Sequence, residues 1–125
     1  MKLLIVDDDS QNREILRLRL ENAGFEVAEA VDGDKGIEAV INNSFDAIIL
    51  DVMMPRRDGW DVCKTLKTNP RTKNVPVIML TARSKDIDQL RGFESGADEY
   101  MTKPVDHQDL LRLLVRLTNK EPDGK

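Results

Sequence analysis

The 125-residue chain has one cysteine and one histidine, and no apolar run long enough to cross a membrane. With no second thiol, Cys63 cannot close an intrachain disulfide, so a reducing cytoplasm is the expected location. His107 has no second imidazole for a relay, and a zinc site of the usual Cys and His donors is excluded. The basic, apolar and small-residue zones of a signal peptide are missing, and a strand pattern follows Met1 at once, leaving little room for a targeting segment. Nineteen Lys and Arg against 23 Asp and Glu give a net charge of -4, which argues against a nucleic-acid surface in this segment. The length suits one domain with one core.

Three short unbroken apolar runs are present: Leu3 to Val6, Ala47 to Leu50 and Val77 to Leu80. Runs without polar alternation fit strands covered on both faces, as in a parallel sheet. Glu26 to Val31 and Asp98 to Met101 are two weaker strands. Helical spacing fills the intervals. The predicted core stripes are Ile15, Leu16, Leu20 and Ala23, then Ile37, Val40 and Ile41, then Trp60, Cys63 and Leu66. Ile87, Leu90 and Phe93 form a fourth, and Leu110, Leu111, Leu114 and Leu117 a fifth. Gly24 and Gly96 are placed to end the first and fourth helices, and Asp9 with Ser10 to start the first. Asp58 and Gly59 carry turn and cap chemistry, and Asp106 caps the last helix. Val105 can staple onto Leu110. Trp60 and Cys63 read as packing, His107 as a surface residue, and residues 119–125 as a polar tail or linker stub after a domain of residues 1–118.

Alternating strands and helices make a (βα)5 α/β chain. It is expected to fold as a flavodoxin-like three-layer sandwich on a five-stranded parallel sheet of order 2-1-3-4-5. Such sheets work beyond the carboxyl ends of their strands, at the switch point between strands one and three. Those two strands run into Asp7, Asp8 and Asp51. A lone acid at a strand end is usually a turn or cap residue, but gathered carboxylates repel and must bind protons, a cation, or both. An all-oxygen site suits Mg²⁺ or Mn²⁺, and magnesium often shares its shell with a phosphate oxygen. The other strand ends complement this: Thr81 brings a hydroxyl, Ala82 an approachable backbone N–H, and Lys103 a compact cation. Pro104 allows a cis peptide after Lys103.

The stretches "LLIVDDD", "AIILDVMMPRRDGW", "PVIMLTA" and "GADEYMTKP", in order and in register over residues 2 to 118, resemble a response-regulator receiver domain, the phosphoacceptor of two-component signalling. The resemblance implies that Asp51 takes a phosphoryl group from a phosphohistidine on a sensor kinase or phosphotransfer protein. It implies that Asp8, Asp51 and the Met53 carbonyl hold Mg²⁺, Asp7 acting through water, and that Thr81 and Lys103 bind phosphoryl oxygens. Thr81 and Tyr100 would then switch the face of the fourth helix, fifth strand and fifth helix toward an output domain, a target protein or a second copy. Leu113 is expected to be partly exposed there as a docking contact. The domain would be no enzyme with a substrate of its own, only a catalyst of its own phosphorylation and dephosphorylation. Met53 and Arg83 would border the path of hydrolytic water, and Met53, a poor hydrogen-bonding group, predicts a long-lived phosphoryl group.

Three rival readings are weaker. An aspartyl-phosphate phosphatase would commonly carry an acid two residues after its nucleophile, where this chain has Met53, and a cap insertion that is missing. A flavin module would need a phosphate-cradling loop where Asp7, Asp8 and Asp9 stand. A receiver serving only as a dimerisation module would not need the phosphorylation groups, all of which are present.

Overall fold

The computed structural model describes residues 1–54, 57–81 and 96–120. Its five strands are β1 (Lys2–Val6), β2 (Glu26–Ala30), β3 (Ala47–Asp51), β4 (Val77–Thr81) and β5 (Glu99–Thr102). They form one parallel sheet in the order β2-β1-β3-β4-β5, as expected. The described helices are α1 (Ser10–Asn22), α2 (Gly33–Asn42), α3 (Gly59–Thr68) and a C-terminal helix (His107–Thr118). The helix predicted around Ile87, Leu90 and Phe93 lies outside the described residues, as do Pro55, Ala82 and Arg83. Among the described residues no helix is long and apolar enough to cross a membrane.

Local chemistry starts each described helix in the same way. The carboxylates of Asp9, Asp32, Asp58 and Asp106 each accept a backbone N–H from the first turn that follows, at 2.8 to 3.2 Å. These donors would otherwise be orphaned, and such caps contribute about 1 kcal/mol apiece. Gly24 follows α1 with φ of 99°, a left-handed conformation that glycine adopts without strain. The Lys103–Pro104 peptide is cis.

Alternating side chains of the central strands feed two core layers. Leu4, Val6, Ile48, Leu50, Val77 and Met79 pack toward α2 and α3, with Trp60, Cys63 and Leu66. Leu3, Ile5, Ile49, Ile78 and Leu80 pack toward α1 and the C-terminal helix. Among the described residues, two of the predicted stripe residues stay outside these layers: Ile15 is 54% exposed and Ile41 36%. For α2 the cause is close approach. Its buried face is Gly33, Gly36 and Val40, and a Cβ on Gly36 would stand 2.9 Å from Val6 Cγ2, so Ile41, one position round, is excluded. On α1 only Leu20 is fully buried, with Leu16 and Ala23 partly so.

The C-terminal helix corrects the reading of Leu113. It faces inward with Leu110 and Leu114, at 9% exposure, in the layer beneath that helix. The i, i+3, i+4 spacing of Leu110, Leu113 and Leu114 is the true stripe, and Leu111 and Leu117 are only partly buried. Leu113→Ala is therefore expected to lower the unfolding free energy by about 2 kcal/mol in urea melts. A change within error would return Leu113 to the surface. His107, expected at the surface, is half-buried.

β5 begins one residue later than predicted because Asp98 is occupied as an anchor. Its N–H donates to the Val77 carbonyl, and its carboxylate accepts the Val77 N–H and pairs with Lys67 at 2.6 Å.

Candidate functional site: an acidic pocket at the strand ends

β1 and β3 are neighbours in register, Val6 beside Leu50, so the residues that follow, Asp7 and Asp51, emerge side by side. One carboxylate oxygen from each of Asp7, Asp8 and Asp51 lies within 4.8 Å of the others. Asp7 and Asp51 are buried, at 5% and 4% exposure, whereas Asp8 is exposed. The turn is braced by the Asp9 N–H donating to Asp7 Oδ1 at 2.9 Å and the Asp7 N–H to the Ala30 carbonyl at 3.2 Å.

Lys103 enters from the end of β5. Its Nζ donates to Asp51 Oδ1 at 3.0 Å, and its backbone N–H donates to the Thr81 carbonyl at 2.7 Å. The Met53 N–H reaches the same Oδ1 at 3.3 Å. The Met53 side chain is 70% exposed. Thr81 is buried at the end of β4, paired in register with Thr102, so its hydroxyl belongs to a strand end next to that of Asp51. Tyr100, beside Met79 in register, is half-buried against the α2 and α3 layer.

The electrostatics are those of an under-neutralised acid cluster. Burial pushes the Asp7 carboxyl up to about 6; the Asp9 N–H opposes this, the Asp51 charge adds to it, and Lys103 works against it. Three carboxylates against one lysine leave an excess of hard oxygen donors. That donor set fits a hard divalent cation better than any thiolate- or imidazole-seeking metal.

Two contributors had no chemical signal in the sequence. Gly59 opens α3 directly behind Asp51: a Cβ there would lie 2.3 Å from the Asp51 carbonyl oxygen, and its N–H bonds the Val52 carbonyl at 3.0 Å. Its role as a close-approach residue is invisible in a turn-like Asp58-Gly59 pair. Arg13, on α1, donates from Nη1 to the Asp7 carbonyl at 2.7 Å. An arginine on an amphipathic helix normally reads as a solvated residue.

A cleft of about 500 Å³ opens beside this pocket, lined in part by Ile15, Leu16, Pro104 and Val105 with Asp7 and Lys103. A second groove runs along β5 and the C-terminal helix. Arg116 pairs there with Glu99 at 2.9 Å, and Arg112 with Asp109, above the buried Leu113.

Comparison with known proteins agrees with this geometry. Residues 3–115 match the family described as the response regulator receiver domain. The chain is 43% identical over 126 residues to the DNA-binding dual master transcriptional regulator RpaA of Synechocystis, covering 98% of this chain and 52% of that protein. The chain thus spans about half the length of this curated relative. Among solved structures it resembles the signal receiver domain of a signal transduction histidine kinase from Syntrophus aciditrophicus. The TM-score is 0.88 at 35% identity, over 94% of this chain and 89% of that one. It also resembles the receiver domain of a sensor histidine kinase from Pseudomonas aeruginosa that holds a magnesium ion in its active-site cleft. There the TM-score is 0.88 at 26% identity, over 95% of this chain and 98% of that one. The order of the strands, the acids at their ends and the family match together show that the chain belongs to the response regulator receiver domains of two-component signalling.

Proposed function

We propose that Asp51 is the phosphoacceptor and that its modification is the signal the domain relays. The observation that carries this reading is the convergence of Asp7, Asp8, Asp51 and Lys103 at the carboxyl ends of three strands. Response regulators turn over no separate substrate, so the chemistry is confined to gain and loss of one phosphoryl group on the protein itself.

Mg²⁺ or Mn²⁺, held by Asp8, Asp51 and the Met53 carbonyl with Asp7 through water, would set positive charge against the phosphoryl oxygens. The protein's own groups do the rest. Asp51 sits on a rigid, buried strand end, so an oxygen of its carboxylate can attack phosphorus in line. The new P–O bond forms as the P–N bond to a donor imidazole breaks. Lys103 then exchanges its contact with Asp51 Oδ1 for a phosphoryl oxygen, where its charge matters more. The modified residue carries roughly two negative charges in place of one near neutral pH. Thr81 would supply a further donor to those oxygens, as would the N–H of Ala82, which lies outside the described residues. Thr81 moving toward Asp51 would let Tyr100 pack further inward, biasing a two-state element on the groove of β5 and the C-terminal helix. A kinase or phosphotransfer protein would deliver the group across the apolar cleft beside Asp7 and Lys103. The charged groove would receive an output domain, a target or a second copy.

We take residues 1–118 as the receiver unit and 119–125 as a polar tail or linker stub. Cytosolic residence accords with the lone buried Cys63. The test is incubation with a small phosphoryl donor and Mg²⁺, followed by intact mass. Gain of one phosphoryl group only when the divalent ion is present supports the reading, and no gain with a donor that modifies other receivers refutes it.

Once the group is in place, its loss depends on oriented water. Met53 offers water only a thioether, so Met53→Asn, which adds an amide donor and acceptor at the exposed mouth of the site, is expected to speed dephosphorylation several-fold. Timed loss of the phosphorylated mass would measure it. Equal lifetimes would mean that position 53 does not handle the water.

A further inference from the structure

The exposed carboxylate of Asp8 is the least supported member of the acid cluster. Among the described residues no hydrogen bond or ion pair holds its side chain, while Asp7 accepts an N–H and Asp51 accepts two contacts. Its direction is therefore inherited from the backbone it stands on. The peptide joining Asp7 to Asp8 is a rigid plane, so whatever holds the Asp7 carbonyl also holds the nitrogen from which Asp8 departs. That carbonyl accepts a hydrogen bond from Nη1 of Arg13 at 2.7 Å.

Arg13 is itself fixed. Its side chain is only 13% exposed, and its Nε donates to Glu29 Oε1 at 3.1 Å, reaching β2. The other Glu29 oxygen stands 3.1 Å from Arg17 Nε as an ion pair without hydrogen-bond geometry. One planar guanidinium thus ties α1, the end of β1 and β2 together. Its two donors point in set directions that a lysine ammonium cannot reproduce. Glu29, shared with Arg17, offsets part of the charge of Arg13, and the set geometry of the guanidinium is its further contribution to the site.

We infer that Arg13 is a positioning residue of the cation site: by clamping the Asp7 carbonyl it orients the Asp7–Asp8 turn so that the Asp8 carboxylate is ready to ligate. This rests on the proposed reading of the acid cluster as a divalent-cation site. Outer partners that orient metal ligands commonly matter for affinity by a factor on the order of 10 to 100 when removed.

Charge and geometry predict opposite signs here, which makes the inference testable. Removing a cation near an acid cluster should tighten Mg²⁺ binding if Arg13 acts only through charge. Removing a clamp should weaken it. The experiment is calorimetric titration of the unphosphorylated wild type, Arg13→Ala and Arg13→Lys with MgCl₂ alone, with thermal melts confirming that each is folded at the working temperature. The expected result is Mg²⁺ affinity reduced on the order of ten-fold in Arg13→Ala and still several-fold in Arg13→Lys. Wild-type or tighter binding by Arg13→Ala, or wild-type binding by Arg13→Lys, overturns the positioning role and leaves the cation site standing. If the wild type fails to bind Mg²⁺, the reading of the cluster itself falls. Arg13→Lys retains the charge and most of the apolar stem, so it keeps the test decisive if Arg13→Ala does not fold.

Discussion

Asp51→Asn is expected to take up no phosphoryl group from a small donor in the presence of Mg²⁺, while the wild type is expected to gain the mass of one. This is the largest effect expected of any single change. The amide is nearly isosteric, and its oxygen can still accept from the Met53 N–H and from Lys103, so the strand end keeps its shape. What disappears is the nucleophile: a neutral amide oxygen does not form the acyl phosphate that a carboxylate does. One of three anionic donors is lost with it, so cation binding weakens in the same variant. The measurement is intact mass over a time course, with a thermal melt to show that the fold survives. If the variant acquires the same added mass at the same rate, the acceptor is another residue and the assignment of Asp51 is wrong.

Asp7→Asn is expected to act in opposite directions on stability and on binding. Burial, first, and the neighbouring Asp51 raise the Asp7 carboxyl from an ordinary 3.8 to about 6. For an acid whose folded value lies above its unfolded one, the folded state binds the proton more tightly, and stability declines as pH rises between those two values. The ionised form therefore costs the cation-free protein on the order of 3 kcal/mol at pH 7, and nothing below about pH 4. Asparagine keeps an oxygen to accept the Asp9 N–H and carries no charge. In a chelator, the variant should melt well above the wild type at pH 7 and close to it at pH 4. Adding Mg²⁺ should reverse the order or shrink the gap, because a ligand that binds only the folded state stabilises it by mass action. The variant has one fewer carboxylate to bind it. A melting difference that is the same at both pH values would show that ionisation of Asp7 is not what destabilises the apo fold.

Much of this molecule was legible in one dimension. The runs Leu3–Val6, Ala47–Leu50 and Val77–Leu80 specify strands because both faces of each are covered, so no polar alternation interrupts them. Parallel strands joined by helices leave few right-handed arrangements, and that restriction takes Asp7, Asp8, Asp51 and Lys103 to one edge of the sheet. The chemistry of the site follows from residue types at strand ends, which a sequence displays directly.

What only the tertiary structure decided is which side of each helix meets the sheet, and how closely. Ile15 and Ile41 have the spacing of core residues, yet α2 presents Gly36 to Val6 of β1, and Ile41 is turned out to solvent. Leu113 and Leu111 differ by two positions on a leucine-rich helix, and the angle of docking put the former inside. The supports of the site, Gly59 behind Asp51 and Arg13 across the Asp7 carbonyl, are likewise settled by distance. Local periodicity records what a residue prefers to touch, whereas its neighbours depend on where distant segments of the chain come to rest.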